Sequence, residues 1–125
     1  MTQQPAIVSI VIPCYNHGQY LQEALDSIDC NKINYSVEII IVDDGSSDHE
    51  TLQKLESLKQ LNYTVIHQTN GGPGKARNTG INVAVGKYML PLDADNKIDP
   101  NYINKAIPIL EKNQADIVYA APEFF

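Results

Sequence analysis

Short apolar runs alternate along this chain with longer stretches in which apolar residues recur every three or four positions. Residues 7–12 are almost wholly apolar, the pattern of a strand buried on both faces of a parallel sheet. Residues 19–28 place Tyr20, Leu21, Ala24, Leu25 and Ile28 on one helical stripe. A second strand is expected over 37–42. Ser47-Asp48-His49-Glu50 has the spacing of a capping box and opens a helix through Leu52, Leu55, Leu58 and Leu61. Residues 63–67 read as a third strand, and a glycine-rich turn then leads into a helix over 73–85 with Gly86 as its stop. Residues 87–92 are a fourth strand. Asp99-Pro100 reads as an N-cap and first helical residue, and the helix to about residue 112 carries Pro108, where a kink or break is expected. Residues 116–121 give a fifth strand.

Strands alternating with helices define an α/β fold built on a parallel sheet. The first strand, apolar on both faces, belongs near the centre, and right-handed crossovers then give the strand order 3-2-1-4. At 125 residues the chain makes one domain with a real core. Its net charge of −6 argues against nucleic acid as a partner. It does not exclude an anionic nucleotide, because a divalent metal supplies local positive charge. Two cysteines, Cys14 and Cys30, make no disulfide framework, so a reducing, cytoplasmic setting is expected. There is no basic leader pattern and no apolar span long enough for a membrane.

The polar residues fall where such a sheet uses them. Strand one runs into Pro13-Cys14-Tyr15-Asn16 and strand two into Asp43-Asp44-Gly45-Ser46. Strand three is followed by Thr69-Asn70-Gly71-Gly72-Pro73-Gly74, and strand four by Asp93-Ala94-Asp95. Ligands of open parallel sheets bind outside the carboxyl ends of the strands, so these four segments converge on a site. Asp93 and Asp95, one residue apart on extended backbone, suit a hard divalent ion that takes one or two carboxylates together with substrate phosphates. The turn around Gly72, with Lys75 and Arg77 in the first turns of the helix, suits an anion. It is no P-loop, since Thr69 and Ala76 stand where that motif needs glycine and Ser or Thr, and it lacks the third glycine of the dinucleotide fingerprint. The three histidines, His17, His49 and His67, have no ligand spacing.

Taken together, residues 8–16, 41–48, 70–80 and 92–95 resemble the family-2 glycosyltransferases, which have the GT-A fold. The match rests on Pro13-Cys14-Tyr15-Asn16, Asp43-Asp44-Gly45-Ser46, Asn70-Gly71-Gly72 through Arg77-Asn78-Thr79-Gly80, and Asp93-Ala94-Asp95, in that order. The resemblance implies the nucleotide-sugar-binding half of an inverting enzyme that moves a sugar from a nucleoside diphosphate, a UDP-sugar first, to a saccharide or lipid-linked acceptor. It implies that Pro13 and Tyr15 line the base pocket and Asp44 contacts the uracil ring, with Asp43 supporting the turn. It places Gly72, Lys75 and Arg77 near the base or diphosphate, Asp93 at the ribose, and Asp95 on Mn2+ or Mg2+. Cell-surface polysaccharide or glycan synthesis is the implied setting.

The pattern departs from the family in one respect. Inverting transfer needs a general base for the acceptor hydroxyl. Asp99, Glu111, Asp116 and Glu123 read instead as a helix cap, a helix face, a strand edge and a terminus. The expectation is a C-terminally truncated transferase that binds donor and lacks its base. A non-catalytic nucleotide-binding module is the alternative. A phosphoacceptor receiver domain fits poorly, because its acid pair would follow the first strand and a lysine the fifth.

Overall fold

The structure is a computed structural model and describes residues 8–112; the expected fifth strand lies outside them. The elements run β1 (Val8–Cys14), α1 (Gly18–Ser27), β2 (Val37–Asp43), α2 (His49–Gln60), β3 (Thr64–His67), α3 (Pro73–Val83), β4 (Tyr88–Pro91) and α4 (Pro100–Glu111). The four strands form one parallel sheet in the order β3-β2-β1-β4, as the apolar pattern predicts.

Both faces of the sheet are covered, and alternation along the strands divides the core. Val8, Ile10, Ile12 and Cys14 of β1 join Ile41 of β2 in a cluster with Leu21 and Leu25 of α1, Leu55 and Leu58 of α2, and Ile103 and Ile107 of α4. Val11, Ile40 and Val42 point the other way and pack on Ala76 of α3. α3 comes so close to β1 that a Cβ on Gly80 would lie 2.3 Å from Val11 Cγ1. Burying each large aliphatic side chain contributes about 1.5–3 kcal/mol, which makes the central strands the rigid base of the molecule.

Several boundaries differ from the sequence pattern for identifiable reasons. Tyr20, Leu52 and Leu61, placed on apolar stripes, are exposed. The buried face of α2 uses Thr51 with Leu55 and Leu58, because the Thr51 hydroxyl accepts from Gly18 N at 2.9 Å and donates to Asp48 at 2.7 Å. The cap of α2 is Asp48, not Ser47, and it accepts from Thr51 N at 3.0 Å. The amides of Ser47 and Asp48 are both held by Asn16 Oδ1, so the turn is fixed one residue further along. α3 ends at Val83 rather than 85, because Val85 N donates to Glu38 and Gly86 N to Ser9. α4 runs unbroken through Pro108, which stands in the last turn and costs the helix one hydrogen bond, to the carbonyl four residues back.

Candidate functional site

Cys14, Asp43 and His67, the last residues of β1, β2 and β3, stand side by side in register, so the loops that follow leave the sheet along one edge. Asn16 adopts a left-handed conformation (φ 55°) that asparagine tolerates. From there its side-chain oxygen accepts from Ser47 N and Asp48 N, both at 2.9 Å, and its backbone N–H donates to Ser46 Oγ at 3.0 Å. Asp43, buried as a turn support, accepts from Ser46 N at 2.9 Å and pairs with His67 Nδ1 at 2.8 Å. Gly45 (φ 73°) is required where it stands, since a Cβ there would meet Asn70 N at 2.7 Å.

Asp44 is the centre of the arrangement. Only 3% exposed, its carboxylate accepts from Gly71 N and Gln68 Nε2 on Oδ1, each at 2.8 Å, and from Gly72 N on Oδ2 at 2.9 Å. Loss of water would raise its pKa. The Gln68 amide, the Gly71 and Gly72 N–H groups and the Lys75 charge outweigh that and hold the carboxyl below its usual range. The anion that the glycine turn favours is thus in part the protein's own: two of the turn's amides are already committed to Asp44.

Beside Asp44 opens a cleft of about 530 Å³, lined among others by Pro13, Tyr15, Gly72, Arg77, Asp93 and Asp95. Seven of the eight residues singled out in the sequence, Asp44 included, therefore meet on one cavity. Lys75 does not line it; its aliphatic stem covers Gly71, and its charge acts on Asp44 from there. Arg77 and Asp93, assigned separate partners by the resemblance, are paired with each other at 3.3 Å. Cys14 forms part of the cleft wall, but burial pushes its thiol up to about 11, only partly offset by the His17 amide, so it is protonated at neutral pH and no nucleophile.

Among the described residues no three His, Cys, Asp or Glu side chains cluster as a metal cage. Asp95 is exposed and has no hydrogen-bond or ion-pair partner among them, while Asp93 lies two residues away on the same cleft. That donor set does not suit zinc. It fits Mg2+ or Mn2+, which take few carboxylates and complete their shell with water and phosphate oxygens.

The sequence places Asn16 and Asn70 in segments that converge on the site but gives them no role, and it does not single out His17 or Gln68 for the site. His17 and Asn70 line the cleft, Asn70 Nδ2 holds Asp44 O at 3.0 Å, and Asn16 and Gln68 fasten its loops. All four sit within a few residues of a strand end, a signal that was present for every polar residue along that edge.

The parallel sheet, ordered β3-β2-β1-β4 and flanked by helices, has the GT-A type of fold seen in similar glycosyltransferases. The chain belongs to Glycosyl transferase family 2, whose profile matches residues 9–125. It is 35% identical over 114 residues to the glycosyltransferase GlyG of Streptococcus pneumoniae, covering 90% of this chain and 38% of that protein. The crystal structure of Staphylococcus aureus TarS (residues 1–349) in complex with UDP-GlcNAc is similar, with a TM-score of 0.72 and 34% identity over 88% of this chain and 32% of the other. So is the mannosyltransferase PcManGT of Pyrobaculum calidifontis in complex with GDP-Man and Mn2+, with a TM-score of 0.63 and 27% identity over 78% of this chain and 29% of that one. No helix among the described residues is long and apolar enough to cross a membrane.

Proposed function

We propose that the chain is the donor-binding part of a glycosyltransferase that moves a sugar from a UDP-sugar to a hydroxyl of a saccharide or lipid-linked acceptor, with inversion and with Mn2+ or Mg2+. The observation that carries this reading is the convergence of Tyr15, Asp44, Arg77, Asp93 and Asp95 on one cleft at the carboxyl edge of the sheet. The nucleotide complexes of similar proteins support it. The two free cysteines are in keeping with a reducing, cytoplasmic setting. Cell-surface polysaccharide or glycan synthesis is the process we assign to the parent activity.

In this reading Pro13 and Tyr15 hold the base, and the ionised Asp44 accepts its ring N–H. Asp93 takes the ribose hydroxyls. Arg77 carries five N–H donors, so it can keep one on Asp93 while offering others to the diphosphate. Asp95 supplies the carboxylate for the metal, which when bound offsets the charge developing on the leaving nucleoside diphosphate. For the acceptor, the described acids after Asp95 are committed elsewhere: Asp99 caps α4 and Glu111 pairs with Lys87 at 2.9 Å. Asp116 and Glu123 lie outside the described residues, and donor binding without sugar transfer by residues 1–125 is the activity we expect. Efficient glycoside formation from UDP-sugars, Mn2+ and a panel of acceptors would contradict that.

Calorimetric titration of the chain with UDP tests donor binding. One equivalent is expected to bind, about tenfold or more tightly in Mn2+ than in EDTA, the scale of losing support at a metal site. Equal affinity in both, or no binding in either, would overturn the proposal.

A further inference from the structure

Behind Asp44, away from the groups already assigned, runs a short polar relay. Gln68 Nε2 donates to Asp44 Oδ1 at 2.8 Å, and Gln68 Oε1 accepts from the Thr79 hydroxyl at 2.5 Å. An ionised carboxylate can only accept, so the amide must turn its NH2 group to Asp44 and its oxygen to Thr79. Gln68 follows directly on β3 and Thr79 stands on α3, so the relay ties a strand end and a helix to one carboxylate. Together with Gly71 and Gly72, it fills three of the roughly four acceptor positions that a carboxylate offers. The open position belongs to Oδ2, the oxygen with a single partner, on a residue that lines the cleft.

Resting on the reading of the cleft as a nucleotide site, we propose that Gln68 and Thr79 are positioning residues that fix Asp44 as a single-site acceptor. The cleft then selects nucleoside diphosphates whose base carries a ring N–H on its pairing edge. Uracil offers that N–H. Cytosine offers a lone pair at the same ring position, and two acceptors facing each other in a buried site leave both unpaired. A site built around one buried acceptor discriminates strongly against an analogue that lacks the matching donor.

The test measures UDP and CDP binding by calorimetry in Mn2+ for wild type, Thr79→Val, Thr79→Ser and Gln68→Met. Wild type is expected to prefer UDP at least tenfold. Thr79→Val is expected to weaken UDP binding about three- to tenfold, the scale of one lost hydrogen bond. CDP binding should stay within twofold, and Thr79→Ser should restore UDP. Gln68→Met should act in the same direction and carries the test if the Thr79→Val melting curve shows an unfolded protein. Unchanged UDP affinity in the folded variants, or parallel loss of both nucleotides, would overturn the relay while leaving the wild-type preference, and the reading of Asp44, in place. No preference in wild type would overturn that reading and the relay with it.

Discussion

Asp44→Ala is expected to cost about 2–4 kcal/mol of folding stability and to remove nucleotide binding. The substitution strands the Gly71 and Gly72 amides and the Gln68 NH2 group, all aimed at the missing carboxylate. A buried donor left without a partner costs about 1–3 kcal/mol, less where water from the cleft can replace it. The loss should also depend on pH with a definite sign. The folded-state pKa of Asp44 lies below its ordinary value of 3.8, so the unfolded chain takes up the proton first as pH falls. The ionised group thus stabilises the fold fully above that ordinary value, and its contribution disappears as pH drops through the depressed one. Urea unfolding of wild type and Asp44→Ala between pH 7 and the acid limit should show a gap that narrows at the acid end. Equal stabilities at neutral pH would refute this account of the turn.

Asp95→Ala is expected to behave in the opposite way. Asp95 is exposed and has no hydrogen-bond or ion-pair partner among the described residues, so its removal should leave stability within about 0.5 kcal/mol of wild type. What it should abolish is the gain in UDP affinity on adding Mn2+, a loss of about 10- to 100-fold. Asp93→Ala is the informative contrast, because it also releases Arg77. Calorimetry of the two variants with and without Mn2+ separates these roles. A full metal effect in Asp95→Ala would remove Asp95 from the metal site.

The sheet was legible in the sequence because its information is local. A run such as 8–12, apolar but for Ser9, has no exposed face to give, so it must sit between neighbours, and β1 does, with Ser9 buried too. The candidate site was legible for a related reason: Asp44, Asp93 and Asp95 each follow a strand, and a parallel sheet brings strand ends together. Partnerships across long stretches of chain were not legible. Asp43 with His67, Asp44 with Gln68, and Asn16 with Ser47 and Asp48 are separated by 24 to 32 residues. The His67 spacing, searched for metal ligands, gave no hint of a carboxylate partner. Helical periodicity likewise marked Leu52 and Leu61 as inward because it registers spacing alone. The buried face was decided by the hydroxyl of Thr51, which a hydropathy pattern scores as polar. Lys75 was drawn toward an anion in the sequence reading, and the anion it acts on is Asp44.

The central claim is that the cleft at the carboxyl edge of the sheet holds a metal-bound nucleoside diphosphate. Nuclear magnetic resonance of the 15N-labelled chain tests it most directly, first with UDP and Mg2+ and then with Mn2+ replacing Mg2+. The expected shifts fall on the amides of Tyr15, Asp44, Gly71, Gly72 and Ala94, and paramagnetic broadening spreads outward from Asp95. Shifts confined to the α2 surface or to the far edge of the sheet, or broadening centred away from Asp95, would contradict the account.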